Sequence, residues 1–173
     1  MKKKIFIKFE KCVGCKSCEL ACAVAHSSTK DLKTAILLEE KPGYRIKVET
    51  YKDHPIPVHC NHCEDATCIL ACPTGAVHRD GENKPVIIDS DRCIGCSMCV
   101  QACPFGMIDI SVDGKSALKC DLCIERLAEN KEPACVTACF TKALLYIDDK
   151  EHNQAKRSKT AEKIVKSQND QNS

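Results

Sequence analysis

The feature that most constrains this chain is a run of four cysteines. Cys93, Cys96, Cys99 and Cys103, followed by Pro104, are spaced C-x2-C-x2-C-x3-C-P. By this spacing a short loop wraps an iron–sulfur cubane. A cubane presents four irons, and each takes one thiolate. Cys93, Cys96 and Cys99 lie on a loop tight enough to meet three corners, and Gly95 lets the backbone curl around them. Cys103 falls one helical turn beyond Cys99, and Pro104 stops the helix there.

In two-cluster ferredoxins the fourth cysteine of such a run serves the other cluster, so one run calls for a second. The chain supplies three more. Cys12, Cys15, Cys18 and Cys22 repeat the spacing, with Ala23 in place of the proline, so that helix can continue through Val24 and Ala25. Cys60, Cys63, Cys68 and Cys72 carry two extra residues before the third cysteine and keep the final C-x3-C-P. Cys120 and Cys123 are separated by eleven residues from Cys135 and Cys139. Four runs use all sixteen cysteines and leave no spare catalytic or regulatory thiol. Zinc in the C-x2-C-x2-C-x3-C runs is disfavoured by so particular a spacing, but the fourth run also suits a structural zinc or a smaller cluster.

Composition agrees. With its cysteines set aside, the chain is only about a third apolar, below the usual ~45–50%, and it has no Trp, four Phe and three Tyr. Clusters would fill the interior that side chains cannot. The basic N-terminus is followed by too short an apolar run for a secretory signal. No apolar stretch approaches the ~18 residues that would span a membrane. The expectation is a soluble, cytoplasmic protein, where thiols stay reduced. The formal charge is +2, but four loaded cubanes of roughly −2 each would make the protein acidic, which argues against nucleic acid. No Walker loop, GxGxxG, HExxH or nucleophile–base pair is present, so the chain is expected not to be an enzyme in its own right.

The pattern predicts strands at residues 4–9, 44–49, 85–89, 107–112 and 144–147, and a helix at 125–130. It leaves 31–40 undecided between helix and loop. The first and fourth runs must pair across the well-matched second and third. This gives an outer module of residues 1–53 with 113–147, and a central module of 54–112 inserted in it. Residues 148–166 read as a helix that Asp148 and Glu151 open as a capping box, with a stripe of Ala155, Ser158, Ala161, Ile164 and Val165. Residues 167–173 read as disordered. His59 and His62 read as surface imidazoles beside a cysteine loop, as do His26, His54, His78 and His152. Met98 and Phe105 read as packing, and Lys16 and Arg92 as solvated or as offsets to cluster charge.

CVGCKSCELAC, CNHCEDATCILACP, CIGCSMCVQACPFG, and KCDLC with CVTAC together resemble the four-cluster iron–sulfur subunits of molybdopterin oxidoreductases and their relatives, over residues 1–147. The resemblance implies an α+β fold of two fused bacterial-ferredoxin-like modules holding four [4Fe-4S] clusters, with crossed ligation. One cluster would take Cys12, Cys15, Cys18 and Cys139. A second would take Cys60, Cys63, Cys68 and Cys103, and a third Cys93, Cys96, Cys99 and Cys72. The fourth would take Cys120, Cys123, Cys135 and Cys22. Phe140 departs from the proline that often follows the last cysteine. CKSCELACAVAHS looks closest to hydrogenase-, formate dehydrogenase- and carbon monoxide dehydrogenase-linked subunits. The implied role is a non-catalytic wire between a formate dehydrogenase and a hydrogenase, with a carbon monoxide dehydrogenase–hydrogenase link and a zinc-bearing interaction scaffold as alternatives. The C-terminal helix would dock on another subunit or on a second copy of the chain.

Overall fold

In a computed structural model, residues 3–39 and 41–170 are described, with side-chain surroundings through 167. β1 (Lys3–Ile7) leads through a 3-10 turn, Phe9–Lys11, into the first cysteine loop and α1 (Ser17–Ala25). Next comes α2 (Leu32–Leu37), whose cap Asp31 accepts from the Thr34 N–H at 2.9 Å. A hairpin of β2 (Ile46–Tyr51) and β3 (His54–His59) delivers the second loop, which ends in α3 (Thr67–Leu70). β4 (Val77–His78) pairs with β5 (Ile87–Ile88) ahead of the third loop and α4 (Met98–Ala102). β6 (Asp109–Ile110) pairs with β7 (Ala117–Leu118), which opens into the fourth group with α5 (Ile124–Ala128) and α6 (Ala134–Ala138). β8 (Leu144–Asp148) returns antiparallel beside β1, with Ile7 opposite Leu144, and α7 (Asp149–Asp170) leaves from its end.

Among the described residues the four sheets are therefore all two-stranded and antiparallel. Such ribbons are marginal alone, and here each packs on cysteine loops. One buried cluster joins Ile5, Ile46, Leu122, Val136 and Leu144 to Cys18, Cys22, Cys60, Cys120 and Cys135. The other joins Ala66, Val77, Val86, Ile108 and Ala117 to Cys99. Sulfur thus occupies interior positions that aliphatic carbon holds in most domains. Among the described residues, no helix is long and apolar enough to cross a membrane.

Each cysteine loop turns by the same backbone device. The residue before the second cysteine has positive φ in all four runs: Gly14 at 69°, His62 at 48°, Gly95 at 66° and Leu122 at 60°. Glycine adopts this region without strain, whereas a side chain costs roughly 1–2 kcal/mol. His62 and Leu122 are 5% and 4% exposed, so their burial offsets that cost.

The strand partners β3, β4 and β7 are additions to the sequence reading. β3 was hidden by Pro55 and Pro57, which lie opposite Thr50 and Val48 in the hairpin. Proline cannot donate to a ladder, but an edge strand tolerates it. The undecided stretch at 31–40 contains α2, and Glu40 lies outside the described residues. The capping box forms: Asp148 Oδ1 accepts from the Glu151 N–H at 2.8 Å, and Glu151 Oε2 accepts from the Asp148 N–H at 3.3 Å. The Phe6 and His152 rings stack at 3.9 Å, and Lys4–Asp149 and Lys159–Glu10 ion pairs tie α7 to the N-terminal segment. His152 is therefore a packed residue, not a free surface imidazole. The disorder expected from 167 is corrected through 170, where α7 ends; residues 171–173 lie outside the described residues.

The shared loop geometry yields a graded expectation. A Cβ on Gly95 would stand 2.6 Å from the Gly114 carbonyl oxygen, whereas one on Gly106, also at positive φ, would meet nothing within 4 Å. Gly106→Ala should cost about 1–2 kcal/mol of strain alone, and Gly95→Ala about 2–5 kcal/mol because overpacking adds to it. Anaerobic thermal bleaching of the cluster absorbance would rank them, with Gly95→Ala losing absorbance at the lower temperature.

Candidate iron–sulfur cluster sites

Two cavities in the middle of the chain are walled by sulfur. Cys93, Cys96 and Cys99 line one together with Cys72, closed by Thr74, Val77 and Ala117. Cys60, Cys63 and Cys68 line the other together with Cys103, closed by Val86, Phe105 and Ile108. Each cavity thus combines three cysteines of one run with the last cysteine of the other. The loop and the following short helix explain why. The first two sulfurs are on the loop and the third is in the short helix itself, as Cys68 in α3 and Cys99 in α4, and one helical turn carries the fourth away from them.

Cys22 on α1 is near the fourth run: it acts electrostatically on Cys120, Cys123 and Cys135. Cys12 and Cys18 couple in the same way within the first loop. Cys139, at the end of α6, packs against the core that contains Cys18.

Backbone N–H groups aim at the sulfurs. Val77 donates to Cys72, Met107 to Cys103 and Ala117 to Cys93, all at 3.4 Å. Arg45 donates to Cys22 and Ala143 to Cys139 at 3.2 Å. The N–H groups of His62 and Leu122 reach back to Cys60 and Cys120 at 3.4 Å, which is what the positive φ at those residues achieves. Sulfur that binds iron is a thiolate, and an N–H donor stabilises that charge. Burial, reinforced by neighbouring acidic groups and thiols, pushes the thiols of Cys18 and Cys123 up to about 11 and that of Cys120 up to about 12. It raises Cys135 too, reinforced by neighbouring thiols. At Cys72 and Cys139 burial also opposes ionisation, but N–H donors and the Thr74 and Thr141 hydroxyls outweigh it and lower the pKa. An all-sulfur donor set with aimed N–H groups and dry walls fits iron–sulfur clusters.

The histidines differ from expectation. His59 and His62 are buried, not superficial. The His59 ring nitrogens face the Cys60 and Ile5 carbonyl oxygens at 2.9 and 3.2 Å, and His62 Nδ1 accepts from the Val86 N–H at 3.1 Å. His26 is also packed: Nδ1 lies 2.7 Å from the Cys22 carbonyl oxygen and Nε2 3.2 Å from Asp121 Oδ1. Asp121 also accepts from Arg45 at 2.6 Å and from the Cys123 N–H at 2.8 Å. The ordinary periodicities give no hint of this network. One signal was legible: a basic residue precedes the first cysteine of every run, as Lys11, His59, Arg92 and Lys119. Two of them, His59 and Lys119, are buried. Arg92 is exposed, and its guanidinium donates to the Thr74 carbonyl at 3.0 Å. A Thr two positions after the last cysteine, Thr74 and Thr141, was the other repeated signal.

The His26–Asp121 pair sets a pH expectation. Burial opposes the His26 charge, but its contacts with Asp121 and Cys22 prevail and raise its pKa from 6.5 to about 9. A pKa raised by folding contributes stability that is complete below 6.5 and is lost as pH rises through about 9. Asp121 is shifted the other way. Burial favours its neutral form, but His26 and Arg45 hold it well below the usual carboxylate range, so its contribution persists through neutral pH. The loaded protein should therefore lose thermal stability between pH 6.5 and 9. Asp121→Asn should flatten that slope and lower stability at pH 6.5 by about 3 kcal/mol, as for a broken buried pair. Anaerobic melting across the pH series measures both.

Comparison with known proteins gives the same chemistry. Residues 51–149 match the 4Fe-4S dicluster domain family, and residues 9–25 match a 4Fe-4S binding domain. An iron-sulfur protein of Rhodospirillum rubrum is 40% identical over 176 residues, covering 94% of this chain and 91% of the relative. A subunit of the anaerobic dimethyl sulfoxide reductase of Escherichia coli (strain K12) is 37% identical over 147 residues, covering 80% and 70%. The thiosulfate reductase electron transfer subunit of Salmonella typhi is 38% identical over 138 residues, covering 79% and 71%. The fourth cysteine run falls inside the dicluster match, which leaves its zinc reading without support. With sixteen cysteines in four groups on a mixed α+β, ferredoxin-like frame, the chain belongs to the 4Fe-4S dicluster family, as an electron-transfer subunit with four [4Fe-4S] clusters and not a catalytic one.

Proposed function

We propose that this chain is a wire, relaying electrons through its four clusters between a formate dehydrogenase and a hydrogenase in the cytoplasm. The observation that carries the reading is the grouping of sulfurs from different runs into common cavities, with every cysteine used. We assign Cys12, Cys15, Cys18 and Cys139 to one cluster, and Cys120, Cys123, Cys135 and Cys22 to its neighbour. The central clusters take Cys60, Cys63, Cys68 with Cys103, and Cys93, Cys96, Cys99 with Cys72. The two cores support in outline an outer module of residues 1–53 with 113–147 and a central module of 54–112, while the β2–β3 and β6–β7 pairs cross those bounds, Cys60 joins the outer core and Ala117 the central one.

When bound, a [4Fe-4S] cluster takes up and releases one electron. The residues around it hold the sulfurs, exclude water and aim N–H groups at the negative charge, which sets the potential. Sixteen cysteines assigned to clusters and none to disulfides suit a reducing compartment. Two relatives are named for dimethyl sulfoxide and thiosulfate reductases, so catalytic reductase subunits are the broader partner class. Formate dehydrogenase and hydrogenase are the finer reading, supported by the CKSCELACAVAHS opening.

α7 is the proposed docking element. Beyond its first turns its side chains are exposed through residue 167, including Ile164 and Val165, and it is basic from Lys156 to Lys166. A helix this exposed is marginal by itself. Anaerobic purification from the source, with identification of co-eluting chains, tests the assignment. Formate dehydrogenase and hydrogenase catalytic subunits are expected, and removal of residues 149–173 should weaken that association while all clusters remain. Co-elution with a different reductase, or elution alone, would contradict the assignment.

A further inference from the structure

Lys119 is 3% exposed, so its side chain is as deeply buried as the aliphatic core. Its Nζ donates to the Cys120 carbonyl at 2.7 Å and also to the Val86 carbonyl, on the approach to β5. Among the described residues no carboxylate is ion-paired with it. Two carbonyl dipoles are weak compensation for a buried ammonium, which ordinarily requires an opposite charge. That charge is close by. Val86, whose carbonyl the Nζ holds, lines the cavity of Cys60, Cys63, Cys68 and Cys103 in the central module, and Cys120 of the outer one is the next residue in the chain.

The placement has a counterpart. His59 precedes Cys60 as Lys119 precedes Cys120. Both are buried, and both reach the carbonyl of the cysteine that follows. Each also reaches a carbonyl across the seam, His59 to Ile5 and Lys119 to Val86. The same strut is thus used once in each direction, but only Lys119 carries a fixed positive charge. Val86 in turn donates to His62, whose N–H reaches the Cys60 sulfur. Lys119 therefore sits between the second and fourth cysteine groups, tied by backbone to both.

We propose that Lys119 is the shared counter-ion of two clusters, the one that includes Cys68 and the one that includes Cys120, and that it raises the reduction potential of both. Reduction adds negative charge to a cluster, and a fixed cation nearby favours the more negative state. By stabilising the reduced form on both sides of the seam, it makes the crossing between modules a pair of matched steps. The assignment rests on the cluster-wire reading. It needs only that Cys68 and Cys120 serve different clusters, which holds whether ligation is crossed or each run keeps its own cluster.

The test is an anaerobic, EPR-monitored redox titration of the full-length loaded protein against Lys119→Met, which keeps the length of the side chain and removes the charge. Lys119→Gln, which keeps a donor, is the second variant. Signals are assigned by those that change in Cys68→Ser, Cys120→Ser, Cys99→Ser and Cys15→Ser. At a fixed potential near the midpoint, the reduced-to-oxidised ratio of the Cys68 and Cys120 clusters should fall about tenfold, equal to about 59 mV for one electron. The Cys99 and Cys15 clusters should not move. Unchanged potentials with full iron content would overturn the assignment, and so would an equal shift in all four. If both variants shed clusters, Lys119→Arg decides. Loading with near-native potentials supports a charge requirement, and failure to load indicates a packing role and overturns it.

Discussion

The structure depends on holding sulfurs from distant parts of the chain around common points. Cys72 and Cys93 are twenty-one positions apart and Cys22 and Cys120 nearly a hundred, yet each pair lies within electrostatic reach or in one cavity. Two-residue strands such as β4 and β5 and helices of four or five residues could not achieve this by their own stability. The dependence runs the other way. The loops and their clusters form the interior, and the short elements are the braces between them. The β1–β8 ribbon ties the N-terminal strand to the segment that follows the fourth cysteine run, and positive φ at His62 and Leu122 turns their N–H groups toward the Cys60 and Cys120 sulfurs.

Much of this was legible because the cysteine spacing is a geometric statement. Gly95 marked a turn, Pro104 a helix stop, and Asp148 with Glu151 the start of α7. The same turns at His62 and Leu122 were not legible, since neither residue type suggests positive φ. Their strain is tolerated because both side chains are buried. β3 was missed because Pro55 and Pro57 count against a strand, and only pairing along the edge of β2 accommodates them. His59, His62 and His26 read as superficial for want of a stripe that predicts burial. Their partners, such as the Ile5 carbonyl and the Asp121 carboxylate, are too far away in sequence to be read from local pattern.

Electrostatics around Cys120 has the same non-local character. Lys119 and Asp121 flank Cys120 with opposite charges, but only the fold shows that one reaches Val86, in the wall of the Cys60 cavity, and the other His26 and Arg45. Around a site that gains negative charge on each reduction, such asymmetry distinguishes otherwise similar clusters. Four runs of nearly identical spacing can thus differ in potential without differing in ligands. A wire needs that difference if electrons are to favour one end.

In the proposed ligation the last cysteine of a run serves its neighbour's cluster. EPR of reduced Cys72→Ser protein, set beside Cys93→Ser and Cys60→Ser, decides whether it does. Crossed ligation requires Cys72→Ser to alter the same signal as Cys93→Ser and to leave the Cys60 signal intact. A Cys72→Ser spectrum that instead matched Cys60→Ser would mean that each run keeps its own cluster, contradicting the assignment.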